Sequence, residues 1–204
     1  MRILLVGGFG KLGASLNNFL LDRGHEVGLY GRNNSKRISS SISDINTNIS
    51  LNDYLNKNNP NLIINLAALT DVDRCENEKV IAYESNVKPC ITLKEWISKN
   101  EAFLIHISTD HLYSGLGPNK ENEINPINEY ARTKLEAEKI INSSKTVILR
   151  INYVGKSILY QKPSYTDWLY QSILNKNKLK LFNDVIFSPL HITDLLDNIN
   201  FLIK

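Results

Sequence analysis

Apolar and polar positions along this chain change period repeatedly, and the changes lay out its elements. Arg2–Val6 is a continuous apolar run, which predicts a parallel strand buried on both faces. Leu12, Leu16, Phe19 and Leu20 recur at helical spacing within 12–23, and Gly24 stands where such a helix stops. Glu26–Tyr30 reads as a second strand and Arg37–Ile42 as a short third. A helix follows over Leu51–Asn58, ended by Pro60. Leu62–Leu66 is a fourth strand running into Ala67 and Ala68. Lys79–Lys99 has a long helical pattern in which Pro89 demands a kink or break. Phe103–Ile107 is a fifth strand ending in Ser108-Thr109-Asp110, and Gly115–Asn125 is a polar loop. Asn128–Asn142 reads as a helix and Thr146–Arg150 as a sixth strand.

This alternation predicts an α/β fold, a doubly wound parallel sheet of the Rossmann type with right-handed crossovers. The rhythm changes after Arg150. Tyr165–Leu174 and Ile192–Ile203 have helical patterns, with a strand expected at Lys180–Phe182. Residues 1–150 are therefore expected to form a nucleotide-binding domain. Residues 151–204 read as the start of a small, incomplete C-terminal subdomain packed on it.

Composition narrows the class. A chain of 204 residues suits one compact domain, and 42% apolar with 22% charged residues excludes a disordered chain. The net charge of +3 is small and evenly spread, which argues against nucleic acid and membrane as partners. The apolar runs Ile3–Val6 and Leu66–Leu69 are too short to span a membrane, and no signal-peptide pattern opens the chain. Cys75 and Cys90 make neither a metal spacing nor a disulfide framework, so a reducing cytoplasm is expected. His25, His106 and His191 are scattered and read as surface or packing residues, and no metal site is expected. Trp96 and Trp168 read as packing residues, with the lining of a ligand cleft as the alternative for Trp168.

The first chemical signal is the turn Gly7–Gly13, with glycines at 7, 10 and 13 between a buried strand and an amphipathic helix. A turn that merely needs positive φ explains a bare triplet. The strand–turn–helix–strand context adds dinucleotide binding. Gly7 allows the tight turn, Gly10 lets a pyrophosphate approach the backbone, and Gly13 lets the helix pack closely on the sheet. The helix N-terminus then offers N–H groups to phosphate. At the end of the second strand, where a carboxylate would bind a ribose 2′-hydroxyl, stands Gly31-Arg32, with Lys36 and Arg37 nearby. A guanidinium there suits a 2′-phosphate, which favours NADP(H) over NAD(H). A solvated loop residue is the plain alternative for Arg32.

The second signal is Tyr130-Ala131-Arg132-Thr133-Lys134. Four residues apart on a helix, Tyr130 and Lys134 share a face. The ammonium of Lys134 would lower the phenol pKa, and Tyr130 would give a proton to a carbonyl oxygen. Thr109, at the carboxyl end of a strand where ligands of this fold bind, would polarise the same carbonyl. Ser108 and Thr109 equally suit strand termination and backbone capping.

The spacing Gly-x-x-Gly-x-x-Gly resembles the extended branch of the short-chain dehydrogenase/reductase superfamily. Asn65-Leu66-Ala67-Ala68-Leu69-Thr70-Asp71-Val72-Asp73, Ile107-Ser108-Thr109-Asp110-His111-Leu112-Tyr113 and Tyr130–Glu136 narrow the match. Together with Leu149–Tyr153 and Phe187–Leu190, they resemble the dTDP-4-dehydrorhamnose reductase (sugar-nucleotide-binding) group along essentially the whole chain.

That resemblance implies Thr109, Tyr130 and Lys134 as catalytic residues. It implies Gly7, Phe9, Gly10, Lys11 and Leu12 in the phosphate loop, and Ala67, Ala68 and Leu69 on the nicotinamide side. Asp44 and Ile45 would meet the adenine, Asn86 would brace the site, and Asp110, His111 and Asn152 would face the substrate. His111 and Ala131 depart from the Tyr and Gly that the group often carries. Members of the group run on into a fuller substrate domain.

The implied activity is reduction of a keto-deoxysugar nucleotide with NADP(H), in polysaccharide precursor synthesis, with a homodimer left open. Two other readings stand beside it. One is a nucleotide-sugar epimerase or dehydratase, although Asp110 is followed by His111 instead of a second acid. The other is a non-catalytic NADP-binding regulatory subunit, the role of the beta subunit of methionine adenosyltransferase, which resembles the same group.

Overall fold

The computed structural model describes residues 1–31 and 49–203. Its elements run β1 (Arg2–Val6), α1 (Lys11–Leu21), β2 (Glu26–Tyr30), α2 (Leu51–Asn58), β3 (Leu62–Asn65), α3 (Val72–Asn77), α4 (Lys79–Asn86) and α5 (Lys88–Lys99). Then come β4 (Phe103–Thr109), a single 3₁₀ turn (Asp110–Leu112), α6 (Glu129–Ile141), β5 (Thr146–Ile151), β6 (Tyr153–Val154), α7 (Tyr165–Leu174), β7 (Leu190–His191) and α8 (Ile192–Ile203).

The main sheet has the order β2-β1-β3-β4-β5, and every pairing in it is parallel. The chain leaves β1 toward β2 and returns to the other side of β1 as β3. That reversal opens a crevice at the carboxyl ends of β1 and β3. Residue alternation divides the core into two layers. Leu4, Val6, Ile63 and Leu104 pack against Leu51, Tyr54 and Leu55 of α2, Leu93 and Trp96 of α5, and Ala137 and Ile141 of α6. Ile3, Leu5, Ile64 and Ile105 face the other way, onto Leu12, Leu16 and Leu20 of α1 and Leu195, Leu196 and Ile199 of α8. Both faces are thus covered, as a parallel sheet requires.

Local chemistry sets the helix ends. Gly24, at φ +78°, lies just past α1. Ser50 caps α2 by accepting from the Asp53 N–H, and Asn59 closes that helix in the left-handed region at φ 41°. The break that Pro89 demands falls at Val87, which puts Pro89 in the first turn of α5, where its missing N–H costs nothing. Asp71 accepts from the Arg74 N–H at the start of α3. Ser164 and Asp167 form a capping box on α7.

Two expectations are corrected. Lys180–Phe182 is not a strand: it has no ladder partner among the described residues, and Leu181 and Phe182 are exposed. The short parallel pair β6–β7 takes that role, joining Tyr153 to Leu190. Trp168 is not a packing residue either. It is 43% exposed, tilted against Tyr165, whereas Trp96 is buried as expected and donates to Asn56 Oδ1 at 2.9 Å. The strand expected at Arg37–Ile42 lies outside the described residues. Among the described residues, no helix is long and apolar enough to cross a membrane.

Candidate active site

The carboxyl edge of the sheet holds a cleft of about 450 Å³. Its floor is the glycine turn. Gly7 has φ +84°, and its N–H donates to Tyr30 O at 2.7 Å, so β1 and β2 are stitched together at the turn. A Cβ on Gly7 would lie 2.6 Å from Ala67 N, and one on Gly13 would lie 2.5 Å from Gly8 O. The close approach that Gly13 permits is therefore between α1 and the turn's own backbone. Gly10 differs: among the described residues only Gly7 O, at 3.3 Å, stands near the place of its Cβ. Gly10 caps α1 and Lys11, Leu12 and Gly13 form its first turn; all four line the cleft, and because the Gly10 N–H is held by Gly7 O at 3.0 Å, the N–H groups on offer are those of the first turn. Phe9 packs beneath the loop, 3.1 Å from the place of a Gly31 Cβ.

The ends of β3 and β4 supply the opposite wall. Ala68, Thr70, Ser108, Thr109, Asp110, His111 and Tyr130 line it, together with Asn152 and Tyr153 after β5. The His111 N–H donates to Thr109 Oγ1 at 3.1 Å, and the threonine hydroxyl in turn makes a long 3.5 Å donation to Asp110 Oδ1. Asn152 Nδ2 holds Asp110 Oδ2 at 3.1 Å. His111 meets Tyr130 edge to face, with ring centroids 5.5 Å apart. Asn86 accepts from the Leu69 N–H at 2.6 Å and donates to Thr133 Oγ1 at 2.9 Å, which ties the end of β3 to α6. Leu69 and Ala67 thus sit behind the wall and Ala68 on it.

Tyr130 and Lys134 share a face of α6, capped by Asn128 on the Ala131 N–H. The expected electrostatic pairing is corrected. Burial pushes the Tyr130 phenol above its ordinary pKa, the hydrogen bond with Thr109 offsets this in part, and Asp110 and Cys75 add to the rise. Lys134 is not among the causes. Its Nζ turns down into the sheet, donating to Ile107 O at 2.6 Å and lying 3.3 Å from His106 Nε2. Burial pulls Lys134 down to about 8.

Sequence reasoning missed two residues. Lys162 lines the cleft and donates to Phe9 O at 3.3 Å, reaching back 153 residues onto the phosphate loop. No local motif marks it; only the fold brings it there. His106, expected at the surface or in packing, is fully buried, but against polar groups. Ser108 Oγ is buried beside the cleft with no hydrogen-bond partner among the described residues. Arg32, Asp44 and Ile45 lie outside the described residues.

Beside this cleft, and sharing Asn152 and Tyr153, is a hollow of about 350 Å³ lined by Tyr165, Trp168, Phe182 and Phe187. A hollow of about 460 Å³ at Met1, Arg23 and His25 lies at the opposite, amino edge of the sheet, where this fold does not bind ligands.

The RmlD substrate binding domain family matches residues 1–204. The chain belongs to that family. A dTDP-4-dehydrorhamnose reductase of Aggregatibacter actinomycetemcomitans is 32% identical over 157 residues, 74% of this chain and 51% of the relative. That of Salmonella typhimurium is 31% identical over 196 residues, 93% and 62% respectively. This RmlD-family chain therefore spans between half and two thirds of the length of those relatives. Among solved structures, a hypothetical dTDP-4-dehydrorhamnose reductase from Sulfolobus tokodaii is 30% identical with a TM-score of 0.84, covering 100% of this chain and 72% of its own. The Bacillus anthracis reductase, solved in complex with NADP, is 25% identical with a TM-score of 0.81, covering 99% and 70%. The Rossmann-type sheet expected from the alternation is the architecture of these proteins.

Proposed function

We propose that this chain carries the cofactor half and the reacting groups of a dTDP-4-dehydrorhamnose-type reductase, acting with NADP(H) on the keto group of a deoxysugar nucleotide. One observation carries the reading: a single cleft joins the glycine turn to Thr109 and Tyr130. The residues fit a dinucleotide. Gly10 leaves open the space a side chain would fill, Lys11 and Lys162 bring positive charge to the turn, and Ser108 Oγ is a buried hydroxyl with no partner among the described residues. When bound, the nicotinamide supplies a hydride. Gly31-Arg32 supports NADP(H), which the Bacillus anthracis relative binds, with NAD(H) as the weaker alternative.

Each residue then has a role. Tyr130 stays protonated well into the alkaline range because burial raises it, which suits a proton donor in the reducing direction. Thr109, its hydrogen held by a long 3.5 Å contact to Asp110 Oδ1, turns that hydrogen to the substrate oxygen or the phenol. Asp110, His111 and Asn152 face the sugar, and the aromatic hollow beyond Asn152 suits the nucleoside. In this reading residues 1–150 hold the cofactor and 151–204 begin the substrate side, packed back by α8.

The test is oxidation of NADPH with dTDP-4-dehydrorhamnose, followed by absorbance. Tyr130→Phe is expected to lower kcat about 100-fold or more with NADPH binding retained. Full activity in that variant would overturn the proton-donor role. NADPH binding without turnover in the parent would favour a regulatory subunit. That second reading draws on the methionine adenosyltransferase 2 subunit beta of Bos taurus, 28% identical over 183 residues.

A further inference from the structure

Asn65 and His106 are register partners on neighbouring strands, both shut away from solvent beneath α5 and α6. The Asn65 amide has a fixed orientation, because the Ala67 N–H donates to its Oδ1 at 3.1 Å. Its NH₂ therefore points inward, 3.0 Å from His106 Nδ1 and 3.3 Å from Cys90 Sγ. An amide NH₂ only donates, so His106 Nδ1 is the acceptor. Burial holds the imidazole well below the usual histidine range, so the ring is neutral and its one proton sits on Nε2.

That proton faces Lys134 Nζ at 3.3 Å. An Nε2–H cannot accept from an ammonium. The contact is a hydrogen bond only when Nζ has a free lone pair. One Nζ hydrogen already goes to Ile107 O at 2.6 Å. The groups that face Lys134 are His106 from β4, Cys90 from α5 and Glu138 on its own helix. The Cys90 thiol is pushed up to about 11 by burial and is uncharged near neutrality. The Glu138 carboxylate is taken by Arg150 Nη2 at 2.7 Å.

We propose that His106 is a positioning residue for Lys134: pinned by Asn65 as the Nε2–H tautomer, it offers the lysine a donor and so favours the neutral amine over the ammonium. Burial and the His106 donor act in the same direction, and the amine then gains or loses its proton close to neutrality. Any consequence for turnover rests on the reductase reading under Proposed function. The tautomer and the titration belong to the ligand-free chain and are measured without cofactor or substrate.

The test is NMR on the whole chain. With ¹⁵N-labelled histidine, the His106 ring is expected to be neutral with its proton on Nε2 throughout the neutral range. With ¹³Cε-labelled lysine, the resonance that disappears in Lys134→Met is expected to titrate at or below about 8. In His106→Gln an amide oxygen can face Nζ, and the Lys134 midpoint is expected to rise by about one unit or more. Asn65→Asp turns the ring to the Nδ1–H tautomer and moves the midpoint the same way. A proton on Nδ1 in the parent, a Lys134 midpoint near its ordinary 10.5, or a midpoint unmoved in a folded variant would each overturn the proposal. Should neither variant fold, the two measurements on the parent decide it. Failure of NADPH turnover leaves these resonances untouched, so the two readings fail separately.

Discussion

Arg150 Nη2 lies 2.7 Å from Glu138 Oε2, a bridge between β5 and α6 in which the carboxylate side chain is 5% exposed and the guanidinium 19%. The same guanidinium donates to Tyr113 Oη at 2.8 Å and to Glu121 O at 2.6 Å, so one side chain also ties down the loop after β4. Arg150→Ala would leave a buried carboxylate without its partner, and the cost of that outweighs the small net worth of the pair itself. The expected loss is about 3 kcal/mol in urea unfolding, with faster amide exchange across 113–125 than elsewhere. An unchanged midpoint would show that solvent reaches Glu138.

Gly7 and Gly10 separate folding from binding. Gly7→Ala puts a Cβ against Ala67 backbone at φ +84° and is expected to cost about 3 kcal/mol. Gly10→Ala meets only Gly7 O at 3.3 Å, so its stability should stay within about 0.5 kcal/mol of the parent. Its methyl stands where a pyrophosphate would approach, and NADPH affinity should fall about tenfold or more. Titration calorimetry beside thermal unfolding checks both halves. Undiminished affinity in Gly10→Ala would place the phosphates elsewhere.

The sheet was legible because buried parallel strands read as apolar runs: Arg2–Val6, Leu62–Leu66 and Phe103–Ile107 all find their places in it. Helix ends were legible where single residues dictate them, as at Gly24, Pro60 and Pro89. Lys180–Phe182 misled because strand propensity is satisfied only by a partner, and β7 met β6 instead. Thr109 and Tyr130, singled out from the sequence, come together in one cleft from the end of β4 and from α6. The direction of Lys134 was not. Helical spacing gives a face but not the end of a long side chain, and the carbonyl of Ile107 and the ring of His106 drew it away from the phenol. Lys162 was invisible for another reason: its contact spans 153 residues.

The two thiols are expected to be inert in the folded chain. Cys75 and Cys90 are both fully buried, burial raises both, and Cys90 reaches about 11. The thiolate is the reactive form, so an aromatic disulfide reagent should modify both thiols only as fast as the structure opens. Absorbance of the released thiol follows this, with immediate reaction in denaturant as the control. Rapid modification without denaturant would mean that the layer formed by α3, α5 and α6 opens readily.

Lys134 should give the chain an unusual stability profile. Burial lowers its pKa from 10.5 to about 8, so below about 8 the folded chain bears a buried ammonium that the unfolded chain keeps in water. Between those two values the unfolded state binds more protons, and stability contributed by this group rises with pH. Lys134→Met removes the effect along with the hydrogen bond to Ile107 O. The stability of the variant relative to the parent should therefore be highest near neutrality and shrink by about 3 kcal/mol as pH climbs from about 8 to 10.5. Chemical denaturation of both proteins across that range checks it, since other alkaline titrations are common to the pair and cancel. A flat difference would mean that Lys134 keeps its ordinary proton affinity inside the fold.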